Sequence, residues 1–220
     1  MSKVTKTQTK TDASPPPSGQ PPSGNLAPRE AKRLTAELSS YYASYAPLFA
    51  RREQREWAQL YLRGQLPDLE RKSVEPMVLR ERGKDLNAVR AVQQFIGEGG
   101  WGDDRILERH QQMVAADLGE PDGTVIVDGS GFPTKGEHSV GVQRQYCGAL
   151  GKLANCQQGV FLVYASRHGH TFLDRRLYIP KTWFDDAHAA KRRKCGLPEK
   201  LVFKTEPILG LEMIKVILAI

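Results

Sequence analysis

Cysteine and histidine are scarce in this chain, at three and five among 220 residues. Cys147, Cys156 and Cys195 form no CxxC pair, and no histidine stands at metal-ligand spacing from them. That pattern argues against a zinc site. An odd, sparse set also fits a reducing compartment better than a disulfide-stapled secreted scaffold. Long apolar runs are lacking too. Nothing approaches the length that spans a bilayer, and the amino terminus has no apolar core of a secretory signal. Walker, nucleophile-elbow and HExxH motifs are absent, and there is no internal repeat.

What the chain does have is positive charge, a net +7 with a pI of about 9.4. Such a balance suits a polyanionic partner, nucleic acid first among them, or simply a soluble basic protein. Residues 1–27 are Pro, Ser, Thr and Gly with almost nothing to bury and read as a disordered tail. From Pro28 helix formers take over. Apolar spacing predicts two helices separated by Pro47, a third over Val74–Arg82 and a fourth over Leu86–Phe95, stopped by glycines. A fifth is expected from Asp103 to Leu118, its amino end loaded with acids that suit the helix dipole. Residues 28–120 thus read as an all-helical module.

After Gly119 the pattern switches to strands. TVIVD, a continuous apolar run, predicts a strand covered on both faces and ending at Asp128. GVFLVYAS and TFLDRRLYIP predict a β-hairpin across RHGH. A polar stretch with some helix follows, then EPILGLEMIKVILAI, a helix opened by Pro207 near its first position. The chain stops at Ile220 without a polar ending, and residues 121–220 read as a fold cut short with an open sheet edge.

The candidate chemistry centres on VIVDGSGFPTKGEHSVGVQRQY, from Val125 to Tyr146. A carboxylate at the end of a buried strand is costly without a cation, and magnesium held by several acids is one solution. An Asp that caps a turn through its own backbone is the other reading. Lys135, His138 and Arg144, with Gln143 alongside, could neutralise phosphates and position a nucleic-acid backbone, or form an ordinary polar loop. Arg63 and Arg105 in the helical module are further DNA-binding candidates. Asp174 is expected to pair with Arg175 or Arg176 or to face solvent. The Lys191–Lys194 cluster reads as a solvated run.

DGSGFPTKGEHSVGVQRQYCG, NCQQGVFLVYAS and LDRRLYIPKTW together resemble bacterial insertion-sequence transposases of the DDE superfamily. The nearest branch is the one grouped as DDE superfamily endonucleases, relatives of the IS-four-like group. FARREQREWAQLYLRGQLPDLERKSVEP is similar to that branch's helical region, so the resemblance covers about residues 48–220. It implies an α+β chain: a helical DNA-binding module at residues 28–120, then an incomplete ribonuclease-H-like domain at 121–220 with the first three strands and first helix. It also implies three acids with two divalent metals (Mg2+ or Mn2+), and a water that attacks at the transposon end. The freed 3′-hydroxyl then attacks target DNA. Asp128 matches the first family acid, as catalytic residue and metal ligand.

This sequence departs from the family pattern in two ways. The second and third acids would fall beyond Ile220, and Gly129 stands where the family often has another acid. The expectation is therefore a transposase fragment, inactive alone, in a bacterial cytoplasm beside the nucleoid and not in a membrane. Its partners would be transposon ends and target DNA, with a homodimer or intact transposase as further partners. Two alternatives are a regulatory fragment that blocks intact transposase and an unrelated basic globular protein.

Overall fold

The computed structural model describes residues 27–219. The tail expected over residues 1–27 lies outside them except for Ala27. The chain divides into two compact units after Ala43. The described part of the first unit is the helix α1, which spans Pro28–Tyr45 and enters the second unit with its last two residues. Pro28 opens α1, Arg33 and Glu37 pair one turn apart, and Thr35 and Ser39 bond back to carbonyls one turn earlier.

Pro47 acts as expected. It sits in a 3-10 turn over Ala46–Leu48, between α1 and α2 (Arg52–Gln65). α3 spans Val74–Arg82, α4 Leu86–Glu98 and α5 Asp103–Leu118. Asp85 caps α4 by accepting from Ala88 N at 2.9 Å, satisfying one of the helix's orphan donors. Helices α2, α3 and α4 share one core of Leu60, Val78, Ala88, Val89 and Val92. Gly64 lets α2 approach α3 closely, because a Cβ there would stand 2.7 Å from Met77 Cβ. Phe49, Phe95 and Trp101 gather beside α4 with ring centroids 5.5–6.0 Å apart, and Trp101 Nε1 donates to Phe95 O at 2.7 Å. The glycines after Phe95 do not stop α4 at once, and it runs on to Glu98.

The second half is an antiparallel sheet of four strands: β1 (Thr124–Pro133), β2 (Gln143–Cys147), β3 (Lys152–Ser166) and β4 (Gly169–Tyr178). β3 is central. Its first residues pair with β2 and its later ones with β4, while β1 pairs along the opposite side from Cys156 to Ala165. The expected hairpin is present as β3 and β4. α6 (Ala189–Lys194) lies in the polar stretch, and α7 (Glu206–Ile217) follows. The architecture is α+β, as expected.

Three expectations about the strands change. β1 continues five residues past Asp128, because Gly129 and Gly131 pair with Val160 and Gln158 of the long β3 and so do not break the strand. β1 is also not covered on both faces. Val125, Ile126 and Val127 are each 40–45% exposed, since β1 pairs with β3 alone among the described residues and its outer edge is free. Finally, QRQYC forms β2 where a polar loop was read. The short run alternates half-buried and exposed positions, and it is recruited by the start of β3.

α5 and α7 cover the same core as the sheet. Val114 of α5 packs with Val160, Leu162 and Leu173 of the strands and with Leu209 and Met213 of α7. α5 also caps the outer edge of β4, with His110 Nε2 2.7 Å from Phe172 O and Gln111 Nε2 donating to Leu173 O at 3.0 Å. That blunts an edge which would otherwise offer unpaired carbonyls. Those carbonyls lie at a bulge, where the register slips between Leu162 and Val163. Asp174 beside the bulge is 2% exposed. Arg176 Nη1 donates to its Oδ1 at 2.5 Å, and Arg175 Nη1 stands 3.7 Å away. The expected pairing is present, with the carboxylate buried and both guanidinium groups partly exposed.

Removing a partner from a buried ion pair leaves a charge without compensation. Arg176→Ala, which takes the hydrogen-bonded partner from the buried Asp174 carboxylate, is expected to lower unfolding stability by about 2 kcal/mol, read from urea denaturation, whereas Glu37→Ala on the exposed face of α1 changes it by less than about 0.5 kcal/mol. The free edge of β1 gives a second expectation. Ile126→Lys reduces concentration-dependent association in light scattering, because a charge on an exposed edge strand opposes edge-to-edge pairing. Equal association by the two proteins would show that β1 is not the sticking surface.

Candidate active site

The register of β1 decides where its side chains point. Successive residues alternate between faces. Val127, Gly129 and Gly131 therefore face α7, while Ile126, Asp128 and Phe132 face the other way, toward Phe161, with which Phe132 makes an edge contact at 5.9 Å. A Cβ on Gly210 of α7 would lie 2.7 Å from Val127 Cγ1. This glycine brings the helix close against β1.

Asp128 is exposed, in the middle of the strand and not at its tip. The argument that its burial demands a cation does not apply. Its Oδ1 accepts from the N–H of Gly129 at 2.9 Å, the backbone contact that the alternative reading anticipated, but within a strand. Among the described residues no cation pairs with it.

A cleft of about 460 Å3 opens between β1 and the start of α7, bordered by Asp128, Gly129, Glu206, Pro207 and Leu211. Glu206 is the first residue of α7, where the helix dipole favours an acid. A Cβ on Gly129 would stand 3.0 Å from Glu206 Oε2 and 2.9 Å from Gln158 Nε2. The absent side chain at residue 129 is what lets the carboxylate and the amide approach the backbone next to Asp128. Gln158 Oε1 is buried without a hydrogen-bond partner among the described residues. Burial first, and the Glu206 carboxylate second, push the Tyr178 phenol above its ordinary range.

The sequence by itself does not single out Glu206. Its position beside Gly129 is a product of the fold. The only local signal is an acid before Pro207 at a helix start.

The candidates for DNA contact divide among four places. Lys135 and His138 are exposed in the loop between β1 and β2. That loop is tied to β3, with Asn155 Nδ2 donating to Thr134 O at 2.9 Å and Gly136 O at 2.8 Å, and Gln157 Nε2 donating to Val140 O at 2.7 Å. Gln143 and Arg144 open β2. Gln143 Oε1 accepts from Thr182 Oγ1 at 3.0 Å, while Arg144 is exposed. Arg105 is exposed on α5. Arg63 lies on α2 and pairs with Glu81 of α3 at 3.2 Å, so its charge is partly engaged within the helices. In the basic cluster, Arg192 holds the carbonyls of Trp183 and Asp185, and Lys191 lies over the Trp183 ring at 4.4 Å. Part of that run therefore fastens the polar stretch and is not simply solvated.

A two-metal centre needs several anionic ligands in one place. Among the described residues no three His, Cys, Asp or Glu side chains gather as metal ligands. The cleft holds one carboxylate, that of Glu206, because the Asp128 side chain turns to the other face of β1, so the described residues do not by themselves fit such a centre.

Comparison with known proteins places this geometry in a family. The family model of the DDE superfamily endonucleases matches residues 44–219, which takes in α2 through α7 and the whole sheet. No curated protein and no solved structure gives a significant match. With four-fifths of its length inside the family model, the chain belongs to the DDE superfamily endonucleases.

Proposed function

We propose that the chain acts on DNA as a transposase of an insertion sequence, with Asp128 as the acid at the reacting phosphodiester. The observation that carries this reading is the position of Asp128. It lies inside the matched segment and exposed on β1, next to Gly129, which borders the cleft with Glu206, and its side chain is on the other face of the strand. Further support comes from the order of elements. Three antiparallel strands, β1, β3 and β4, lie side by side and a helix follows them, which suits the first part of a ribonuclease-H-like domain. The free edge of β1 next to α7 is where such a sheet takes its next strand.

Nucleases of this superfamily normally use divalent metals. Since the described residues do not complete that site, no catalytic step is assigned through a metal. The chain's own residues are given two tasks. Asp128 sets the reacting position. Lys135, His138, Gln143 and Arg144, on or beside β2, receive the DNA backbone, with Arg105 and Arg63 on the helical side at residues 28–120. Phosphate contacts of this kind fix position without reading sequence. The transposon ends, the target DNA and a second transposase subunit are the proposed partners, in a bacterial cytoplasm. Among the described residues no helix is long and apolar enough to cross a membrane.

Nicking of supercoiled DNA in Mg2+ or Mn2+ tests the reading, with Asp128→Ala alongside. The expected outcome is nicking by the wild type, its site completed by a second transposase subunit, that Asp128→Ala abolishes. DNA affinity should stay within about twofold or rise slightly, because one negative charge near phosphate is gone. Nicking that persists in Asp128→Ala overturns the assignment of the acid. No nicking, together with binding that weakens steeply with salt, would favour a regulatory chain that occupies transposon ends or joins intact transposase.

A further inference from the structure

The face of the sheet that carries Asp128 also carries a row of aromatic rings. By register, Phe132 of β1, Phe161 of β3 and Phe172 of β4 all share that face. The ring centroids of Phe132 and Phe161 are 5.9 Å apart, and those of Phe161 and Phe172 are 5.5 Å apart. The row therefore crosses three neighbouring strands. Gly159 makes room for it. A Cβ there would stand 2.8 Å from Phe161 Cε2 and 3.2 Å from Phe132 Cε2, so its absence lets two rings lie over β3. Asp128 is the cross-strand partner of Phe161, which sets the candidate acid beside the row.

α5 and α7 meet the opposite face of the sheet, through Val160 and Leu162. That leaves the row open, with Phe132 49% exposed and Phe172 62%. One exposed apolar side chain is ordinary, but rings in mutual contact form a patch that marks a binding surface. Aromatic rings set across an antiparallel sheet are a surface on which single-stranded nucleic acid stacks its bases. Paired bases have both faces taken inside a duplex, so only unpaired ones can lie on the rings. The surrounding charge suits such a ligand. From His138 to Leu173 the chain contains no acid, and Arg144 and Lys152 are exposed within that stretch, which complements a polyanion. An apolar protein partner fits less well, because covering the row would bury the Asp128 carboxylate without a cation.

We propose that Phe132, Phe161 and Phe172 form a platform on which unpaired bases of a DNA strand stack beside Asp128. This rests on the reading of DNA as the substrate and adds that the strand is unpaired where it meets the acid. It requires no metal and no cleavage.

The test uses the full 220-residue chain in EDTA. The probes are a fluorescein-labelled oligothymidine, an abasic strand of the same length and a random-sequence duplex, each followed by anisotropy. Phe172→Ala and Phe132→Ala should each weaken oligothymidine binding about tenfold, as expected when one stacked base is lost. Phe172→Trp should keep the wild-type affinity, because it keeps a ring. Duplex affinity should stay within about twofold in all three variants, since phosphate contacts carry it. The abasic strand should bind the wild type about as weakly as oligothymidine binds Phe172→Ala. Thermal unfolding of each variant separates loss of stacking from loss of fold. Equal oligothymidine affinity in wild type and both alanine variants overturns the proposal, and so does an abasic strand that binds as well as the intact one. Light scattering in which Phe172→Ala turns a dimer into a monomer, with strand affinity unchanged, would show that a second copy covers the row. Duplex binding without ring-dependent strand binding would sink the platform alone, whereas no binding of either DNA would sink the reading of DNA as substrate with it.

Discussion

The backbone of β3 carries the hydrogen bonds of every other strand. From Lys152 to Ser166 it pairs with β2, β4 and β1, so a single segment fixes three registers at once. A one-residue slip along it would turn each neighbour's side chains to the opposite face. Asp128 would then face α7, and Gly129 would no longer leave room for Glu206. The core side of β3 ties this register to the helices, because Val160 and Leu162 meet Val114, Leu209 and Met213. Where the candidate acid stands is therefore decided by pairing and packing on a neighbouring strand more than by the residues around it.

Glycine appears wherever two backbones, or a backbone and a polar side chain, must come close. Gly64 admits Met77 between α2 and α3, Gly210 admits Val127 under α7, and Gly129 admits Glu206 and Gln158. The first two sites are apolar and serve packing. The third is polar. It sets a carboxylate and an amide against the strand that holds Asp128, which is how the cleft acquires its acid. A side chain at residue 129 would have to displace Glu206 before it could occupy the same space.

The helices were legible in the sequence because their signals are local. Pro47, the Val74–Arg82 segment with Pro76, Asp85 before Leu86, and Asp103 with Asp104 mark boundaries that neighbouring residues enforce. The sheet was half legible. The β3–β4 hairpin follows from apolar runs around a turn, but β2 is a five-residue polar strand that exists because β3 is long enough to recruit it. The run Val125–Val127 looked buried because its composition is apolar. Its exposure follows from its place at an edge, and composition does not report sheet order. Asp128 was singled out as the acid that ends an apolar run, and the resemblance then matched it to the first family acid. Glu206 is far away in sequence, and only the approach of α7 to β1 brings it beside Gly129, on the opposite face of the strand from the Asp128 side chain.

Two cores underlie the chain from α2 onward. One is built by α2, α3 and α4. The other is built by α5, α7 and the sheet, and it holds the strand and the helix start on which Asp128 and Glu206 sit. Both acids therefore stand on backbone fixed by β3 and by the α7 packing, and not on the polar loop between β1 and β2. A carboxylate is repelled by an incoming phosphate. It keeps its place beside one only where the scaffold holds it there.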